Sequence, residues 1–308
     1  MTVQNENMKH DEGYRKIFAH KDSFLHFLNK YIEAPWIDGI TADDLEQIKT
    51  TYVGDDLQKR ESDIIYKVNS KNVFFYTLLE LQSEPDFTMP WRLLKYVVNL
   101  LSDVFMNTDK NERKLKDFKL PAVVPIVLYN GEDNWTPVKS FKEYTANYGD
   151  FGDNILDLKY ILFDLNRYNE EDILKTYKLL DFVFQMDLKH YSRDDKEIIE
   201  EMKRLIKLPH ELSPEDILNF GIWLRHALGI KDESEDFVGK VVTAFQKGEV
   251  EDMTYALGRW ADRKVSAARE EEKIFLASKL MKRGRPIEEI MEDTGLSREK
   301  IERLQFRT

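Results

Sequence analysis

The sequence predicts an α/β protein: a helix-covered sheet built on a β-hairpin in the first half, followed by an all-helical C-terminal region. Three observations carry this. The run VFFYTLLELQ (73–82) is apolar on both alternating faces, which suits a central strand covered by helices. A polar turn, Asn69 to Asn72, separates it from SDIIYKV (62–68), so the two form a hairpin. Beyond about residue 170, successive segments repeat their apolar residues at helical spacing.

In chain order, residues 11–32 space Tyr14, Ile17, Phe18, Phe24, Leu25 and Leu28 as two short helices, with Asp22 as the expected N-cap between them. A weak strand signal covers 45–54. One face of the 73–82 strand would hold Phe74, Tyr76, Leu78, Glu80 and Gln82. Pro90 then opens WRLLKYVVNLLSDVF as a packed helix. AVVPIVLYNG (122–131) reads as a buried strand ending at a glycine turn, and LKYILFDL (158–165) as a further strand. The helical half comprises DILKTYKLLDFVFQM, KEIIEEMKRLIK, DILNFGIWLRHALGI and DFVGKVVTAFQ, after which a charged stretch leads into a tail. Trp91 and Trp135 are read as core anchors rather than base-stacking platforms.

Composition narrows the class. Hydrophobic residues make up 42% of the 308 and charged residues 33%, the balance of a soluble globular chain. The absence of cysteine excludes disulfides, a thiol nucleophile and cysteine-ligated metal. No apolar run approaches the roughly 18 residues of a membrane span, and the N-terminus lacks a signal peptide's apolar segment, so a cytoplasmic protein without a membrane partner is expected. The net charge of −11 argues against a surface evenly coated for nucleic acid, but leaves room for a local basic groove. Two stretches are locally basic: KNERKLKDFK (110–119) and the last thirty residues.

The hairpin also carries the polar residues that need explaining. Asp63 lies near the outer end of one strand, and Glu80 and Gln82, two apart, share a face at the far end of the other. Buried carboxylates without a partner are costly. Convergent hard oxygens at one sheet end suit Mg²⁺, which takes one or two carboxylates, water and substrate phosphate. The plain alternative, Asp63 capping a turn and Glu80 solvated at a strand terminus, stays open on spacing alone.

At this point the chain resembles a known group. The stretch SDIIYKV…FYTLLELQSEPDFTMPWRLLKYVVNLL resembles the core of the PD-(D/E)XK nuclease superfamily. It is similar, more narrowly, to the recombination-promoting nucleases, also called the YhgA-like putative transposase family. Three other blocks match that family in order: KHDEGYRKIF, LPAVVPIVLYNGEDNW and PIEEIMEDTGLSREKIERL. The resemblance implies a restriction-endonuclease-like core with a central mixed sheet flanked by helices. It also implies a metal-dependent endodeoxyribonuclease using Mg²⁺, with Mn²⁺ as a substitute, acting on DNA in recombination, transposition or defence. By that resemblance Asp63 and Glu80 are metal ligands, with the Leu81 carbonyl as a third. Gln82 stands where the superfamily more often has lysine, so it can position water but brings no positive charge. Asp11 would be an outer acid. Arg92 and Tyr96, four apart on one helix face, would contact phosphate or support the Glu80 strand end.

The tail reads as three short helices with Ser297 capping the last, a spacing that suits a helix-turn-helix with Arg298, Lys300 and Arg303 toward DNA. A docking or dimerisation hairpin is the alternative, and a homodimer is compatible with either. The expected division is a nuclease-like domain over 1–170, a helical region over 171–268 and the tail over 269–308. No phosphate-binding loop, dinucleotide fingerprint or zinc-ligand spacing is present in the sequence. A second reading is a weakly active or inactive DNA-binding or assembly protein on the same fold.

Overall fold

The computed structural model describes residues 12–32, 34–48, 64–70, 73–188, 193–230 and 236–305. The chain forms two compact units, Met1–Glu249 and Val250–Thr308.

The first unit opens with helix α1 (12–19) and α2 (Lys21–Phe27), which runs on into a π-turn over Leu28–Ile32. The break falls at His20, whose backbone is extended, and Asp22 sits inside the first turn of α2 instead of capping it. The hydroxyl of Tyr66 lies 2.8 and 2.9 Å from the carbonyls of Phe18 and Ala19, satisfying the end of α1 from the sheet side. Tertiary contact, not a local cap, therefore sets this boundary.

Five strands form one sheet in the order β1 (Leu45–Ile48), β2 (Ile64–Ser70), β3 (Val73–Gln82), β4 (Ala122–Tyr129) and β5 (Ile161–Asp164). The β1–β2 and β2–β3 pairs are antiparallel, and the β3–β4 and β4–β5 pairs are parallel. The sheet is thus mixed. The hairpin ladder runs from Ile64↔Leu79 to Ser70↔Val73, so Asn69 and Ser70, expected in the turn, belong to the strand. The parallel crossover between β3 and β4 is helix α3 (Met89–Asn107), with Pro90 in its first turn, where no amide donor is needed. Pro125 is tolerated inside β4 because β5 pairs only from Ile126 onward.

One face of the sheet packs on α3, where Ile65 and Val127 meet Met89, Leu93, Tyr96 and Leu100. Trp135 packs there as expected. Trp91 does not: it is 49% exposed and rests 6.4 Å from the ring of Phe141, because it lies on the side of α3 away from the sheet. The other sheet face carries an aromatic core, with Phe24 stacked on Tyr66 at 4.3 Å and Phe163 meeting Phe27 and Phe184 at 5.2 and 5.1 Å.

The expected helix over 172–186 divides into α5 (Glu170–Ile173) and α6 (Leu179–Asp187) after the short α4 (Tyr148–Phe151) upstream. The chain turns between α5 and α6 with Tyr177 at φ 50°. The reason is the buried Asp181 carboxylate, which accepts from Thr176 Oγ1 at 2.5 Å, the Lys178 amide at 3.1 Å, and Lys30 Nζ and the Tyr31 hydroxyl at 2.8 Å each. His26 Nε2 lies 2.8 Å from the same group. Burial pushes this carboxyl up, yet hydrogen bonds and charge from His26, Lys30 and Thr176 prevail and hold it at about 2. All nine residues of α6 are buried, so the helical half shares the core of the sheet half. Helices α7 (Asp195–Ile206), α8 (Pro214–Ala227) and α9 (Phe237–Lys247) complete the unit, started by Asp194, Ser213 and Asp236 as N-caps.

The second unit begins with α10 (Glu251–Lys282), an unbroken 32-residue helix that runs through residue 269, so the tail's first helix is the end of a long one. With α11 (Ile287–Thr294) and α12 (Arg298–Gln305) it encloses a small core of Ala277, Ile290, Leu296 and Ile301. Among the described residues no helix is long and apolar enough to cross a membrane.

Candidate active site

The sheet places positions 80 and 82 together. In the parallel β3–β4 ladder Glu80 pairs with Val127 and Gln82 with Tyr129. Register partners share a face, and Val127 packs among the α3 residues, so positions 80 and 82 lie on the α3 face at the carboxyl end of β3. The last described pair of the β2–β3 ladder is Ile64↔Leu79; in sequence Asp63 directly precedes Ile64 and Glu80 directly follows Leu79. Asp63 and Asp11 themselves lie outside the described residues.

Directly after β3 the chain turns into α3 through Asp86, which accepts from the Thr88 amide at 2.8 Å and the Thr88 hydroxyl at 2.6 Å. Its other carboxylate oxygen accepts from Arg92 Nη1 at 2.5 Å, and Arg92 Nη2 reaches the Tyr96 hydroxyl at 3.5 Å. Burial raises the Asp86 carboxyl, but the bonds from Thr88 and Arg92 outweigh it and leave the group below the usual carboxylate range. Arg92 and Tyr96 do share one helix face, and the guanidinium braces the loop that follows the Glu80–Gln82 segment. The sequence singled out Arg92 and Tyr96 but not Asp86. The signal available was the Asp86–Thr88 turn spacing ahead of a helix.

The neighbouring strand end is also held by buried polar groups. After β4, the Asn130 side-chain amide donates to Asp187 of α6 at 2.8 Å, and the Tyr14 hydroxyl of α1 donates to the same oxygen at 2.6 Å. Asn166 donates to the carbonyls of Asn130 and Gly131 at 2.8 and 2.9 Å. Gly131 is wedged so closely that a Cβ there would fall 2.0 Å from the Ser83 carbonyl oxygen, one residue beyond Gln82. Nearby, Trp135 Nε1 donates to the Tyr160 hydroxyl at 3.0 Å, which donates to the Val138 carbonyl at 3.0 Å. Burial, with Asp86 and Glu143 adding, pushes this phenol up to about 12 against the Trp135 bond, so it stays neutral at working pH. Asp164 ends β5 in register with Tyr129, and burial raises its carboxyl despite Arg167 at 3.3 Å.

Arg298, Lys300 and Arg303 belong to α12 of the second unit. Arg298 pairs with Glu288 and, at 3.7 Å, with Glu302; Lys300 pairs with Glu270 at 2.6 Å. Ser297 Oγ accepts from the Lys300 amide at 3.4 Å, the cap expected for this helix. Among the described residues no group of three or more His, Asp or Glu is placed to hold a metal ion.

Comparison with known proteins adds a lineage to this geometry. The model of the family described as "Putative transposase, YhgA-like" matches residues 8–216. The chain is 21% identical over 312 aligned positions to recombination-promoting nuclease RpnA of Escherichia coli strain K12, covering 98% of each chain. It is also 23% identical over 133 positions to recombination-promoting nuclease RpnD of Escherichia coli O157:H7, covering 42% of this chain and 48% of that one. RpnC of strain K12 matches at 23% over 125 positions, 40% of this chain and 39% of the relative. No solved structure matches at a significant level. With more than half of its residues matched by that model, the chain belongs to the family described as "Putative transposase, YhgA-like".

Proposed function

We propose that the protein is a Mg²⁺-dependent DNA endonuclease of the restriction-endonuclease-like type, with Mn²⁺ as a working substitute. The observation that carries this reading is the placement of positions 80 and 82 on the α3 side of a mixed sheet, with Asp63 directly preceding Ile64, the register partner of Leu79. The element order, a helical opening, three antiparallel strands, a crossover helix and a parallel fourth strand, supports this reading. The names of the relatives, recombination-promoting nucleases, support nuclease chemistry linked to recombination.

In this reading Asp63 and Glu80 supply hard carboxylate oxygens, with the Leu81 carbonyl as a third donor, a set suited to Mg²⁺. The ion, when bound, would activate water and neutralise charge on the scissile phosphate. Gln82 orients the attacking water through its amide, and Asp11 holds an outer water. Arg92 and Tyr96 keep the loop after β3 in place, and DNA is the substrate. Recombination, mobility and defence are the settings that fit, in the cytoplasm and with a homodimer compatible.

Two observations favour a second reading, a nuclease fold that binds DNA and cleaves little. Gln82 is neutral where the superfamily more often has lysine, and the chain's net charge is −11. Plasmid nicking separates the two. Wild type in Mg²⁺ should nick supercoiled DNA, whereas Asp63→Ala, Glu80→Ala and chelator should each abolish nicking. Variants that cut as well as wild type would sink the metal-site assignment. DNA retention by an inactive wild type would favour the binding protein.

A further inference from the structure

We infer that Asn130, Asn166 and Asp187 form a buried clamp that positions the carboxyl end of β3 by pressing Gly131 against Ser83. These are positioning residues; none is placed on the reacting atoms. Their link to catalysis rests on the nuclease reading, while the clamp itself stands on contacts.

The segment Asn130-Gly131 is gripped from two sides. Asp187, 1% exposed on α6, fixes the Asn130 side chain and is itself met by Tyr14 of α1. Asn166, 9% exposed after β5, spends both protons of one amide nitrogen on the consecutive carbonyls of residues 130 and 131. Buried polar groups are costly unless directed at partners, so each of these bonds restricts the geometry of the turn. A turn that only reversed the chain would not need polar side chains from three other segments. What the grip delivers is the position of Gly131, which fits against the Ser83 carbonyl and beneath the Tyr129 ring only because it has no Cβ. Ser83 follows Gln82 directly, so the clamp bears on the segment of β3 that carries Glu80, Leu81 and Gln82. Groups that hold metal ligands from behind typically matter 10- to 100-fold for affinity or rate.

The test uses the full chain as wild type, Asn130→Ala and Asn166→Ala. Amide hydrogen exchange at residues 81–83 is followed without metal, and plasmid nicking is titrated with Mg²⁺. A positioning role predicts at least about tenfold faster exchange at 81–83 in both variants, with α8 protected as in wild type. It also predicts a half-saturating Mg²⁺ concentration raised roughly 10- to 100-fold at unchanged KM for DNA. Folded variants with wild-type exchange at 81–83 and a wild-type Mg²⁺ titration would overturn the inference and leave the network a purely stabilising role. Should Asn130→Ala fail to fold, Asn166→Ala decides, since it removes the donor to the carbonyls of residues 130 and 131 and adds no Cβ against Ser83. If wild type does not nick DNA in Mg²⁺, the nuclease reading fails and the exchange arm alone judges the clamp.

Discussion

Arg92 holds Asp86 with one arm of its guanidinium and reaches Tyr96 with the other, so its planar fork matters as well as its charge. Arg92→Lys should therefore lower stability by about 1 kcal/mol, read in urea melts, and slow nicking, because a lysine serves one partner at a time. Asp181 makes a pH prediction with a defined sign. Its folded pKa of about 2 lies below the ordinary carboxylate value of 3.8, so its contribution is present above about pH 4 and is lost as pH falls through 2. The stability gap between wild type and Asp181→Asn should shrink by about 2 kcal/mol between pH 5 and pH 2. Denaturation at several pH values checks this, and a pH-independent gap would contradict it. None of this group was legible from spacing: Lys30 and Asp181 are 151 residues apart, and only folding joins them.

Among the elements, β3 was the most legible, because burial on both faces demands an apolar run and the register then follows from the hairpin. The α5–α6 boundary was not, because its helical periodicity continues through a turn that buried Asp181 enforces. Helix α12 was read correctly, together with its Ser297 cap and the glycine before it. Gly295 sits at φ 68°, a conformation that side chains with a Cβ adopt at a cost. Gly295→Ala should destabilise the α11–α12 turn by about 1 kcal/mol, seen as faster amide exchange over 288–304 with the first unit unaffected. The ion pairs of Arg298 and Lys300 are solvent-exposed and screened by salt, so phosphate could displace their acidic partners. If α12 meets DNA, Lys300→Ala and Arg303→Ala should each reduce the slope of log affinity against log salt by about 1, measured by anisotropy. An unchanged slope would exclude a phosphate contact by α12.

At the scale of the whole molecule, composition and four ordered sequence blocks determined the class: a helix-covered sheet, a helical second half and membership of the family described as "Putative transposase, YhgA-like". These are properties of periodicity and local chemistry, which a strand or helix imposes on its own residues wherever it is placed. The sequence also marked Glu80 and Gln82, since residues two apart on a strand share a face. Which face that is, and what stands behind it, were decided only by the tertiary structure. The β3–β4 register put the pair on the α3 side, and α3 turned Trp91 outward although its ring reads as core. Folding also set Asp86 against Arg92, and Asn166 and Asp187 around the turn at Gly131. Such partners are selected by burial, because a polar group removed from water takes whichever complementary group the packing brings near, whatever its distance along the chain.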